Sequence, residues 1–111
     1  LDCNKDHISN PSCAEELIQN LPEIHALAKQ ISQHKGVTPI IFTEAEPEPH
    51  AKAGTEAAAY RIYFGESHQT HTVRVLTFAV DAKTGAIFVY DDLQSERIPL
   101  AEWRKRKRQS P

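Results

Sequence analysis

Residues 72–91 leave this chain little choice of fold. Over 72–81, Leu76, Phe78 and Val80 alternate with Val73, Val75, Thr77 and Ala79, which is the period of a β-strand and not of a helix. Asp81-Ala-Lys-Thr-Gly85 then supplies the chemistry of a tight turn, with a glycine available for positive φ, and 86–91 returns as a second strand through Ile87, Phe88, Val89 and Tyr90. Upstream, 57–64 alternates in the same way, with Ala58, Tyr60, Ile62 and Phe64 opposite Ala57, Ala59, Arg61 and Tyr63, and a polar connection at 65–71 joins it to the hairpin. A three-stranded antiparallel meander is predicted. The β-rich run 37–43 could add a fourth strand, and Pro39 directs it to an edge, where a missing N–H costs no ladder bond.

Both sides of the hairpin are apolar, so each needs a cover. Ser12 and Glu15 form a capping-box pattern that opens a helix over 13–20, and Pro22 fits the first turn of a second helix over 22–35. Ile24, Leu27, Ala28 and Ile31 make one apolar stripe on that second helix, closed by His34, Lys35 and Gly36. This pair should pack on one face of the sheet. The other face falls to a partner or to the segment 98–103, where Pro99 suggests a short closing helix with Trp103 docked as a wedge. The expected fold class is α+β, an N-terminal helix pair on a three- to four-stranded antiparallel sheet with a short C-terminal helix. Residues 1–103 would form the single domain and 104–111 a basic tail.

A chain of 111 residues can bury about 65% of its unfolded surface, enough for a real core. No apolar run is long enough to span a membrane. The net charge of −2 conceals a division: five of the thirteen basic residues lie in 104–108, so 1–103 carry eight basic and fifteen acidic side chains, a balance of −7. The basic run could meet nucleic acid or anionic lipid, but no second basic patch with interleaved aromatics accompanies it, and a solvated tail is the plainer expectation. No nucleic-acid partner is expected. Cys3 and Cys13 could close a small loop pinning the N-terminus to the first helix, the alternative being two buried thiols; a bond implies an oxidising compartment. The chain starts at Leu1 and holds no methionine, for which a removed signal peptide is the natural expectation.

The segment Phe78-Ala-Val-Asp-Ala-Lys-Thr-Gly-Ala-Ile-Phe-Val89 resembles the closing hairpin of PepSY-like domains, in which a strand, a turn of this type and a strand follow an N-terminal helix. The resemblance to this PepSY-like and cystatin-like class implies a periplasmic or surface location and a role in binding or inhibiting enzymes. The wider profile, an acidic body of this size with an expected disulfide, is similar to that of the immunity proteins that bacteria keep in the periplasm against secreted toxins.

No serine lies in a Gly-x-Ser-x-Gly elbow and no nucleophile has an evident base, so catalysis is not expected. His68 and His71, with Glu66 before them, are the residues best placed to meet zinc or copper, but they lack a fourth protein ligand and helical His-Glu-x-x-His spacing. A metal-binding or sensing module using the His68 and His71 loop is the alternative function; the plainer expectation is exposed polar residues at the mouth of a hairpin, with no metal or cofactor. The acidic stretch 44–50, carrying Glu44, Glu46 and Glu48 with two prolines, reads as an exposed, mobile loop, and with 65–71 it forms the expected recognition elements for a protein partner, the alternative being a plain solubilising loop. Its carboxylates could enter the basic cleft of a target enzyme while Tyr63 or Tyr90 anchors the contact. An exposed sheet face or edge could also support a homodimer.

Overall fold

The computed structural model describes Cys3, residues 7–91 and residues 96–109, apart from the side chains of Asp91, Arg108 and Gln109. Helices α1 (Pro11–Gln19) and α2 (Pro22–Ser32) precede strands β1 (Thr38–Ala45), β2 (Ala59–Ser67), β3 (Thr72–Asp81), β4 (Ile87–Asp91) and β5 (Glu96–Pro99), and helix α3 (Leu100–Gln109) follows. A single 3-10 turn, Glu56–Ala58, leads into β2. The strands form one five-stranded antiparallel meander in sequence order.

The α+β class and the helix-pair, sheet, closing-helix order are as the sequence predicts. Among the described residues the strand count is five and not three to four. The added strand, Glu-Arg-Ile-Pro, is short, charged and ends in proline, so no alternation announces it; pairing with β4 at Tyr90↔Arg97 and Val89↔Ile98 makes it a strand. Pro39 does lie on an edge strand, since among the described residues β1 pairs with β2 alone.

The first helix starts two residues before the expected boundary because Asn10, not Ser12, is its cap. The Asn10 side chain accepts a hydrogen bond from the Cys13 N–H at 2.9 Å, and Pro11 fills the first helical position, where no N–H is needed. The second helix stops at Ser32, short of 35, and Gly36 with φ +79 turns the chain into β1. The Cys3–Cys13 disulfide is present, and the segment it tethers adds to the sheet side through Ile8, whose N–H donates to the Ala82 carbonyl at 2.7 Å.

The core lies on one face of the sheet. Cys13, Ala14 and Ile18 of α1 and Ile24 and Ile31 of α2 pack with Tyr60, Ile62 and Phe64 of β2, Phe78 and Val80 of β3 and Val89 of β4. Ile18, Ile62, Phe78 and Val80 are completely buried, each contributing about 1.5–3 kcal/mol of hydrophobic stabilisation. Trp103 of α3 reaches the same cluster and meets Phe78 edge-on, ring centroids 6.4 Å apart and planes at 80°. Arg104 ties α3 to α2 through a two-point contact with Glu23, at 2.6 and 3.1 Å. Thus the wedge exists but on the helix side; α3 does not cover the opposite face. The basic run expected in a tail belongs to α3, with Ser110 and Pro111 outside the described residues.

Two register shifts shape the other face. Between β1 and β2, Thr43 faces Ile62 and Ala45 faces Arg61, so Glu44 is an extra residue. Between β2 and β3, Phe64 faces Leu76 but Gly65 faces Arg74, so Val75 is extra. Gly65 is required there, because a Cβ would collide with the Val73 carbonyl and the Tyr63 ring.

Candidate functional site

All three helices sit on the face that holds Tyr60, Ile62 and Phe64, so the alternate residues of β2, Arg61 and Tyr63, belong to the face the helices leave open. Phe42 of β1 pairs with Tyr63 and stacks on it, centroids 4.5 Å apart and planes 19° from parallel. Phe42 stays 42% exposed while Tyr63 is buried beneath its neighbours. The Arg74 guanidinium lies 4.5 Å from the Tyr63 ring centroid, in cation–π contact.

Strict alternation would send Arg74 to the same side as Leu76 and Phe78, into the core. The extra residue Val75 inverts the side chains beyond it and delivers Arg74 to the open face. There it grips Glu44 with both terminal nitrogens, at 2.9 and 2.6 Å, and donates to Thr77 Oγ1 at 2.6 Å. The hydrogen bond from Arg74 outweighs partial burial and holds the Glu44 carboxyl below the usual carboxylate range. Arg61 also approaches this carboxylate, Nε to Oε1 3.9 Å.

Along the row towards β5, Tyr90 donates its hydroxyl to Glu56 at 3.3 Å. Burial, then the Glu56 charge, pushes its phenol above the ordinary tyrosine value, so it stays a neutral donor. Arg97 lays its guanidinium 4.4 Å from the Phe88 centroid and donates to the Gly54 carbonyl at 2.8 Å; its Nη1 is buried and, among the described residues, has no acceptor. Two hollows open on this face. One, about 340 Å³, is lined by Glu44, Arg61, Arg74, Thr77 and Tyr90. Its neighbour, about 410 Å³, is bordered by Glu46, Glu48 and Glu56, with Arg61 and Tyr90 common to both.

The segment between β1 and β2 is held in place at several points. Asp81, 1% exposed at the end of β3, accepts hydrogen bonds from the Gly54 N–H at 2.7 Å and from the Lys83 and Thr84 N–H groups at 2.9 Å each. Burial alone would raise its pKa; the backbone donors more than offset it and hold the carboxyl below its ordinary value. Glu48 also donates its N–H to the Ala57 carbonyl at 2.7 Å.

Of the residues singled out in the sequence, Glu44, Tyr63 and Tyr90 come together on the open face, and Glu46 and Glu48 border it. Glu44 is a strand residue, not part of a mobile loop, and it is turned onto two arginines. Glu66, His68 and His71 lie at the far end of β2, roughly 17 Å from Arg61 by strand rise, and form a separate group. The two imidazoles stack, centroids 4.8 Å apart and planes 4° from parallel, and His68 Nε2 lies 2.9 Å from Glu66. Among the described residues no three His, Cys, Asp or Glu side chains are arranged to hold a metal ion. Sequence reasoning did not select Phe42, Arg61, Arg74, Thr77 or Arg97 as site residues. Alternation alone could have put Arg61 beside Tyr63, whereas Arg74 was hidden by the bulge.

No family model matches the chain, and neither the curated proteins nor the solved structures compared with it yield a match.

Proposed function

We propose that this chain is a protein-binding module that inhibits an enzyme by covering its active site, in the manner of a periplasmic immunity protein directed against a secreted antibacterial toxin. The observation that carries the reading is the open sheet face: among the described residues three helices crowd one side of the sheet and leave the other, with half-exposed Phe42 and the Arg61–Tyr90 hollows, without a helical cover. Aromatic and arginine side chains on a rigid scaffold are the usual energetic centres of protein interfaces. Steric occlusion asks for no chemistry from the inhibitor, only a preformed surface. The bonded Cys3–Cys13 pair supports an oxidising compartment such as a periplasm. The resemblance of 78–89 to PepSY-like hairpins favours the same class.

The test combines capture with inhibition. The tagged domain, incubated with a periplasmic extract, should retain an enzyme in a 1:1 or 2:2 complex and abolish its activity at stoichiometric ratio. Phe42→Ala with Tyr90→Ala should weaken that inhibition by at least tenfold while the fold survives. Retention of a protein whose activity is untouched, or inhibition indifferent to both substitutions, would defeat the proposal.

A further inference from the structure

We infer that the hollow lined by Glu44, Arg61, Arg74, Thr77 and Tyr90 is a binding site for a single carboxylate group, with Arg61 as its cationic partner. The inference rests on the open face being the binding surface and names the chemistry that surface takes.

The two arginines of the hollow are in different states. Arg74 is committed: it holds both oxygens of Glu44, donates to Thr77 and covers the Tyr63 ring. Arg61 donates no hydrogen bond to any described residue, and its nearest carboxylate oxygen, on Glu44, is 3.9 Å away, beyond hydrogen-bond reach. A guanidinium carries five N–H donors in a planar fork that matches a carboxylate edge. Here the side chain is 47% exposed, and its direct cross-strand neighbours are small, because Arg61 pairs with Ala45 on β1 and Ala79 on β3. An incoming carboxylate therefore meets the fork without displacing protein atoms.

Charge decides how much negative charge the hollow accepts. Two guanidinium groups face one carboxylate, leaving one unit of positive charge. Glu46, Glu48 and Glu56 border the adjoining hollow, on which Arg61 also opens; the repulsion they exert grows with the charge of the incoming group, so a single carboxylate paired with Arg61 meets the least of it. One carboxylate fits where a polyphosphate or nucleic acid does not. The Thr77 hydroxyl, which accepts from Arg74 and keeps its own proton to donate, stands at the wall to meet its second oxygen. The carboxylate could come from an Asp or Glu side chain of a partner protein or from a small organic acid; the recognised chemistry is the same.

The test is a titration of the intact protein followed by NMR of the arginine Nε–H and tyrosine ring signals. The probes are N-acetylglutamate methylamide, its glutamine counterpart, acetate, and a capped hexapeptide with one central glutamate. Capped glutamate should shift the Arg61 and Tyr90 signals saturably, and capped glutamine at the same concentration should not. Arg61→Gln should remove the effect, and Arg61→Lys should weaken it several-fold, with backbone spectra confirming that both variants fold. A hexapeptide at least tenfold tighter than acetate assigns the site to a partner's side chain; equal affinity assigns it to a small acid. Equal responses to glutamate and glutamine, equal shifts at Arg61 and Arg97, or an undiminished response in Arg61→Gln would overturn the inference. Such a failure leaves enzyme occlusion standing, since that is read from stoichiometric inhibition and not from carboxylate binding.

Discussion

Replacing Asp81 should loosen the strap between β1 and β2 and destabilise the whole domain. This carboxylate is almost fully buried and serves three backbone donors, the N–H groups of Gly54, Lys83 and Thr84. In Asp81→Ala all three lose their acceptor. An unsatisfied buried donor costs about 1–3 kcal/mol, but Lys83 and Thr84 lie in an exposed turn where water can replace much of the loss, so the expected sum is about 2–4 kcal/mol. For a domain of this size that lowers Tm by roughly 10 °C or more. Asp81→Asn keeps one acceptor oxygen but turns an NH2 group towards donors, and should lose about 1–2 kcal/mol. Because the folded-state pKa is depressed, the stabilisation is fully present above the unfolded carboxyl value of about 3.9 and disappears as pH falls through the lower folded value. Urea unfolding followed by Trp103 fluorescence should therefore show a wild-type advantage over Asp81→Asn at pH 7 that shrinks progressively below about pH 4. Amide exchange at Gly54 should quicken in both variants. A stability loss under 0.5 kcal/mol in Asp81→Ala, or an Asn variant whose deficit is the same at pH 7 and pH 2.5, would refute the reasoning.

Reduction of Cys3–Cys13, or replacement of both residues by serine, should cost about 2.5–3 kcal/mol, the loop-closure value for a ten-residue separation, read as a shift in the urea midpoint. The Ile8–Ala82 hydrogen bond should lose exchange protection first, since that segment is what the disulfide holds to the sheet. Gly65→Ala should destabilise by about 2 kcal/mol or more in thermal unfolding, because the new methyl collides with the backbone of β3 and the neighbour that would have to move, Tyr63, is packed under Phe42 and Arg74. A Gly65→Ala protein as stable as the parent would show that the second bulge is not rigid.

The sequence by itself determined the parts of this protein that depend on neighbours along the chain. Alternation over 57–64 and 72–91 gave the three central strands, Asp81 to Gly85 gave the turn whose glycine has φ +75, and the close spacing of Cys3 and Cys13 left a disulfide open to view. These are local properties: side-chain direction repeats every second residue, and a turn is made by four or five residues. Only the tertiary structure decided which face Arg74 occupies and what Glu44 is for. Both answers depend on bulges, and a bulge exists only relative to the partner strand that is one residue shorter. The acidic stretch at 44–50 read as an exposed loop whose carboxylates could meet a partner; folding brings Arg74, thirty residues away, onto the first of them and leaves the positive charge on Arg61 instead. β5 was invisible for the same reason, since four residues with two charges and a proline become a strand only when β4 offers them an edge. The open face, and with it the candidate site, is a consequence of where three helices and two bulges settle, which no window of the sequence contains.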